Sequence, residues 1–321
     1  MPRSQLSVNR IAQSLAERLC NKADEYGVIV RRTQLGTTVI DAGIEAKGGF
    51  LAGRIITEIC LGGCGRADIF PAHLNDSEFL SISVYTDHPA LATLGSQFAG
   101  WQIKVKDYFA IGSGPARALA LKPREIYEKI GYEDEADVAV LVLETGKEPP
   151  SDVVSYICGE CRVEPDHLSL ILVPTTSICG SVQVSGRVVE TGIHKLTKLG
   201  FDPKSIMYAW GCAPIAPVHL RFAEAMGRAN DAILYGGIAY CTVEYDDEEE
   251  LKRVVEKTPS KASKDYGRPF IEIFKEADHN FYKIDPNLFA PAVLVVNNAK
   301  TGRVFRAGEI NSKILKKSLG L

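Results

Sequence analysis

Ser113-Gly114-Pro115-Ala116-Arg117 opens a segment that reads as a helix ending at Ile130-Gly131-Tyr132, with a strand following at Val138. Ser185-Gly186-Arg187 opens a second such segment, which ends at Leu199-Gly200-Phe201 and is followed by a strand at Ile206. Both run Ser-Gly, helix, Gly-aromatic, strand. Helices commonly start at Ser and stop at Gly, and that habit alone produces such a match. If the echo is real, the chain is two related α/β halves, and clefts between halves are common ligand sites.

The alternation of helices and strands extends outward from these segments. Residues 6–26 carry Ile11, Leu15 and Leu19 at helical spacing, and residues 49–59 also read as a helix. β-Branched runs at 28–31 and 37–41, and the stretch 78–86, read as strands. The continuous apolar runs at 136–143 and 168–173 have the character of buried strands. Strands are also expected at 205–210 and 238–243, with a helix at 246–257 whose acidic start and basic end suit the helix dipole. Pro149-Pro150 precedes a helix start at Ser151, and strands at 292–296 and 303–306 flank Asn-Ala-Lys-Thr-Gly as a hairpin. The expected fold class is α/β with mixed α+β character, as two similar side-by-side α/β domains with a cleft between them. The expected division is discontinuous: residues 1–40, 85–180 and 295–321 in one domain, and 41–84 with 181–294 in the other.

Composition narrows the function classes. The chain has 321 residues, 45% hydrophobic and 24% charged, which suffices for a packed core. A net charge of −3 gives no general affinity for nucleic acid or an anionic membrane. No apolar run reaches the roughly 18 residues that span a bilayer. Met1-Pro2-Arg3-Ser4-Gln5-Leu6 is not followed by the apolar core of a signal peptide, so a cytoplasmic protein is expected, with its eight cysteines reduced.

Three places can carry chemistry. Arg187, Glu190 and His194 share a helical stripe beside the apolar Val189, Ile193 and Leu196. A carboxylate beside a guanidinium is favoured in its charged form and can orient water or take its proton. Spacing alone favours an exposed ion pair worth a few tenths of a kcal/mol. The preceding run 174–185, rich in Gly, Ser and Thr, has the composition of a backbone that approaches a ligand closely, or of a plain surface loop. Second, the glycine-rich turn at 111–117 leads into a helix N-terminus and suits an anion, although Ser113 also serves as an ordinary N-cap. Third, Cys158-Gly159-Glu160-Cys161 is a CxxC and Cys60 and Cys64 a looser pair. Their spacing is wrong for a zinc ribbon, and the CxxC falls late in its helix, where no dipole stabilises a thiolate. No HExxH, GxSxG or dinucleotide fingerprint is present, so no metal or redox cofactor is expected.

Longer motifs add a resemblance. They include Thr86-Asp87-His88-Pro89-Ala90, Gly95-Ser96-Gln97, Ala99-Gly100-Trp101-Gln102-Ile103-Lys104-Val105 and the run from Tyr108-Phe109-Ala110-Ile111 through Arg117 to Ala120. Further on stand Gly180-Ser181-Val182-Gln183-Val184-Ser185-Gly186-Arg187-Val188-Val189-Glu190-Thr191 and Asp265-Tyr266-Gly267-Arg268-Pro269-Phe270. The last is Phe281-Tyr282-Lys283-Ile284-Asp285-Pro286-Asn287-Leu288-Phe289-Ala290-Pro291. Together, over roughly residues 5 to 310, they resemble the methenyltetrahydromethanopterin cyclohydrolases.

The resemblance implies a metal-independent hydrolase of one-carbon metabolism, of the kind found in methanogenic archaea and some methylotrophic bacteria. It converts the 5,10-methenyl cation and water to 5-formyltetrahydromethanopterin, reversibly. Tetrahydromethanopterin, or its dephospho form, is the carrier of the substrate, and no permanent cofactor is implied. The family fold is two α/β domains with the pterin in the cleft, assembled as a homotrimer, without nucleic-acid or membrane partners. By motif, the catalytic pair falls on Arg187 and Glu190. Ser113, Gly114, Arg117, Ser181, Gln183, Asp285, Asn287 and Phe289 are implied as substrate-binding. One departure stands out. Archaeal members often carry a lysine after Gly-Ser-Gln, where this chain has Phe98, which points to a different pterin tail. Two other readings are a thiol redox protein using Cys158 and Cys161, and a phospholigand-binding module using the 113–117 loop.

Overall fold

A computed structural model describes residues 6–74, 77–280 and 283–321. The described residues fall into two compact units, one within Met1–Arg66 and Leu91–Gly180 and the other of Ala67–Ala90 and Ser181–Leu321. Each is built around its own six-stranded mixed sheet, and neither sheet is a closed barrel.

In the first unit the order is α1 (Val8–Asn21), α2 (Ala23–Tyr26), β1 (Ile29–Arg32), β2 (Thr38–Asp41) and α3 (Phe50–Cys60). Past the segment that supplies β3 (Arg66–Leu74) and β4 (Ser77–Thr86) to the other sheet, it continues with a π-helix at Leu91–Gln97, β5 (Trp101–Val105) and β6 (Tyr108–Ser113). Then come α4 (Ala116–Ala120), α5 (Arg124–Ile130), β7 (Ala139–Glu144), α6 (Ser151–Cys161) and β8 (Leu168–Leu172). The sheet order is β1-β2-β8-β7-β6-β5. The central β2, β8 and β7 run parallel, and the flanking pairs are antiparallel. Alternation along β7 explains the three layers. Val140 and Val142 face α1 and α3 on one side. Ala139, Leu141 and Leu143 face α6 on the other. A strand apolar on both faces, as the continuous run at 136–143 indicated, is what such a sandwich requires.

The second unit contains β3 and β4, then α7 (Ile178–Ser185), which crosses the division after Gly180, and α8 (Val188–Lys198). It goes on with β9 (Ile206–Pro214), α9 (Phe222–Gly236), β10 (Ile238–Val243), α10 (Glu248–Lys257), α11 (Phe270–Glu276), β11 (Val293–Asn298), β12 (Val304–Gly308) and α12 (Ser312–Leu319). The order is β12-β11-β10-β9-β4-β3, with β10 and β11 the parallel pair. The helix α8 packs on β9 and β10, while α9, α11 and α12 bury a second cluster around Tyr235, Phe270 and Leu315. On the sheet face away from α8, Tyr208 is 49% and Trp210 39% exposed, and Tyr85 stands directly across from Trp210.

Four expectations need correction. The 6–26 helix is two, because Lys22 leaves helical geometry at φ −127. The helix opened at Ser113 is also two. Pro123 has no N–H for an i−4 bond, and Leu121 ends α4 in the left-handed region at φ 51. The run 174–185 is not a loop throughout but ends in α7. Ser177 Oγ accepts from Gly180 N at 3.0 Å, and a Cβ on Gly180 would stand 2.2 Å from the Pro174 carbonyl oxygen. Small residues there allow the chain to pack on itself. Finally, residues 293–298 pair with β10 and residues 304–308 pair with 293–297 in the second sheet, and 50–60 pack on α1 in the first, so the expected unit limits shift at both places.

Candidate active site

The helix α8 carries the expected catalytic pair. Arg187 is its N-cap and Glu190 lies in its first turn, with Lys195 and Lys198 in the last turn. Acid at the start and base at the end suit the macrodipole. Val188, Val189, Ile193 and Leu196 are buried against the sheet. Glycines set how closely the helix sits. A Cβ on Gly211 of β9 would lie 2.8 Å from Val189 Cγ2 and 3.1 Å from Val188 Cγ1, and one on Gly192 would lie 3.3 Å from Ala239 Cβ. Only a residue without Cβ fits at Gly211 without movement. Glu190 is therefore held on a helix pressed to its sheet, and it is only 4% exposed. The solvated surface pair that spacing alone allowed is excluded, because a buried carboxylate costs several kcal/mol unless its surroundings compensate.

The neighbours of the pair are ordered by the same turn. Gln183, buried on α7, accepts at its Oε1 from Arg187 Nε at 3.3 Å and from Nη2 at 3.1 Å. Ser181 is also buried and donates its hydroxyl to the Ala216 carbonyl. The loop at 285–289 is tied to α8 by Lys195, which donates Nζ to Asn287 Oδ1 and, at 3.4 Å, to its carbonyl. Burial pushes the Lys195 ammonium below the ordinary lysine value, with Asp285 opposing. Burial pushes Asp285 up, but donors outweigh it and hold the carboxyl below its usual range. They are the N–H of Asn287 at 3.0 Å, the Ser263 hydroxyl at 2.8 Å and the N–H of Lys264 at 3.1 Å. Phe289 stands edge-on to Phe270 at 5.7 Å. Phe281 and Tyr282 of the same motif lie outside the described residues. The structure thus gathers Arg187, Glu190, Ser181, Gln183 and the 285–289 loop within the second unit. Lys195 was missed by sequence reasoning; its signal is a lysine between residues of an otherwise apolar helical face.

Ser113, Gly114 and Arg117 belong to the first unit, where their turn is braced internally. Ser113 is buried with its Oγ 3.8 Å from Cys60 Sγ, and Gly114, at φ 99, donates its N–H to the Ser96 carbonyl at 2.8 Å. Arg117 is fully buried. It donates to the carbonyls of Lys122, Leu94 and Ser96 at 2.8, 3.2 and 3.0 Å, and its Cζ lies 5.2 Å from the Phe98 ring and 5.6 Å from Tyr127. Its guanidinium is a strut for the π-helix and for the turn before Pro123.

Burial works against thiolate chemistry at the cysteine pairs. Cys158 and Cys161 are free thiols buried at the end of α6. Burial, with the charge of Glu164 near Cys158, pushes both thiols up and disfavours the thiolate that redox exchange needs. Cys64 is pushed up to about 11 by burial and the charge of Asp134. Among the described residues, no three His, Cys, Asp or Glu side chains are placed to hold a metal ion. No helix among them is long and apolar enough to cross a membrane.

The family model described as Cyclohydrolase (MCH) matches residues 7–319. A methenyltetrahydromethanopterin cyclohydrolase of Methanothermobacter marburgensis is 48% identical over 319 residues, 98% of this chain and 100% of that protein. Its namesake from Methanocaldococcus jannaschii is 48% identical over 318 residues, 98% of each chain. That of Methanobrevibacter smithii is 45% identical over 320 residues, 98% of this chain and 99% of the relative. With the family model matching residues 7–319 and relatives 45–48% identical over 98% of the chain, the chain belongs to the cyclohydrolase (MCH) family.

Proposed function

We propose that this enzyme hydrolyses 5,10-methenyltetrahydromethanopterin to the 5-formyl compound, reversibly, with Glu190 as general base and Arg187 as its cationic partner. The near-complete match to cyclohydrolases supports the reaction. The single observation that supports the residue roles is a carboxylate buried to 4% exposure on the first turn of a helix clamped to its sheet.

The chemistry follows from the substrate. The methenyl carbon is electrophilic and shares its positive charge with two nitrogens. Water adds to that carbon while Glu190 takes one of its protons. The adduct then expels one nitrogen, the hydroxyl proton is lost as the formyl C=O forms, and the departing nitrogen gains a proton. One proton is released for each cation hydrolysed. A carboxylate favours the cation in the ground state and the proton transfer in the transition state, and holding water on one face removes much of the entropic barrier.

Three finer readings accompany this one. Phe98, packed over Arg117, supplies no charge to an anionic tail, which supports a carrier with a different tail from that of archaeal members. Comparing KM for phosphorylated and dephosphorylated carrier tests it, and a strong preference for the phosphorylated form would refute it. A homotrimer in the cytoplasm is the expected form, and the exposed aromatic face at Tyr85, Tyr208 and Trp210 offers it a surface to bury. The 113–117 loop is expected to lend backbone groups to the substrate. The direct test of function is to add purified protein to the methenyl pterin and follow loss of its near-ultraviolet absorbance. No loss above the uncatalysed rate would refute the proposal.

A further inference from the structure

We infer that Gln183 is a positioning residue for Arg187, and not a pterin contact as the family resemblance implied; this rests on the catalytic reading of Arg187. Gln183 lies on α7 and Arg187 caps α8, on either side of the break at Gly186. Across that break, the amide oxygen of Gln183 accepts from both Nε at 3.3 Å and Nη2 at 3.1 Å. Those two donors form one edge of the planar guanidinium fork. Fixing an edge by two bonds to one buried acceptor removes rotation about the last side-chain bonds of a residue that otherwise carries large rotamer freedom. Gln183 is itself buried, so it is held by packing and passes that rigidity on. The opposite edge of the guanidinium is then aimed in a fixed direction from the start of α8, the turn that also carries Glu190. A glutamine suits this task because its side chain carries an acceptor oxygen to that edge.

A double-mutant cycle tests the inference, with kcat and KM measured for Gln183→Ala, Arg187→Ala and the double variant. The expected result is a fall in kcat of roughly 10- to 100-fold for Gln183→Ala with KM within about threefold, as expected when a group is misplaced by about 1 Å. The double variant should be no worse than Arg187→Ala, because Gln183 acts only through Arg187. Gln183→Met, of similar volume but without the acceptor, should behave like Gln183→Ala. Gln183→Glu, which keeps the acceptor, should recover most of kcat. A rise in KM at unchanged kcat, an additive loss in the double variant, or no recovery with Gln183→Glu overturns the inference. A fully active Arg187→Ala would instead overturn the catalytic reading on which it rests. Thermal melting of each variant separates these outcomes from misfolding, since a purely structural glutamine would lower Tm without the kinetic pattern.

Discussion

Replacing Gly211 by alanine tests whether the fit of α8 on its sheet governs catalysis. The added Cβ would stand 2.8 Å from Val189 Cγ2, 3.1 Å from Val188 Cγ1 and 2.8 Å from the Ile238 carbonyl oxygen. Ordinary contact begins near 3.4 Å, so the start of α8 must move away by roughly half an ångström or more. The carbonyl belongs to the neighbouring strand β10, which is hydrogen-bonded to β9 and cannot yield alone. Overpacking of this kind costs about 1–3 kcal/mol. For units of this size that is a fall in Tm of a few degrees per kcal/mol. Displacing a positioned catalytic group by about 1 Å costs up to ~100-fold in rate, so a tenfold or greater loss in kcat is expected. The assay is kcat from methenyl absorbance beside a thermal melt. A variant with lowered Tm and normal kcat would refute the argument that the helix seat positions Glu190. A variant unchanged in both would refute the crowding itself.

Asp231 sets a pH dependence of stability: it is buried between α9, α11 and α12, accepting from Phe270 N at 3.0 Å and from the Ser318 hydroxyl. Burial raises its carboxyl from the ordinary aspartate value to about 7, so its contribution is fully present below about 4 and is lost as pH rises through about 7. Tm of the wild type should therefore fall relative to Asp231→Asn across that window, and a pH-independent difference would contradict the assignment. If the chain forms the proposed homotrimer through this face, Trp210→Glu together with Tyr208→Glu should yield monomers in light scattering without unfolding the chain. An unchanged mass would remove that face from the assembly.

Much of the fold was legible because its strands advertise themselves. Residues 238–243 match β10 residue for residue, and most of the apolar run at 136–143 falls in β7 (Ala139–Glu144), covered on both faces. Breaks were harder. A single proline at 123 divided a helix that periodicity alone would have continued, and the glycine-rich run before Ser185 hid α7 because close packing and ligand approach use the same residues. The first unit's limits were misjudged because parallel pairing of β10 with β11 joins residues far apart in sequence, which local patterns do not record. At the site, spacing placed Arg187 and Glu190 on one helix but could not tell burial from exposure. That depended on Gly211, on a strand that contributes no catalytic group. The Arg187–Gln183 bonds are likewise products of the turn between α7 and α8, and the Lys195–Asn287 bond of the packing of α8 on the 285–289 loop.

The measurement that bears most directly on the account is single-turnover hydrolysis of the methenyl cation by Glu190→Gln. The substitution keeps the shape of the side chain and removes its capacity to take a proton. Binding of the methenyl pterin, read by equilibrium titration, should persist, while the rate of the chemical step should fall by about 100- to 10,000-fold, the range of general base assistance. Near-normal turnover by this variant would contradict Glu190 as the base.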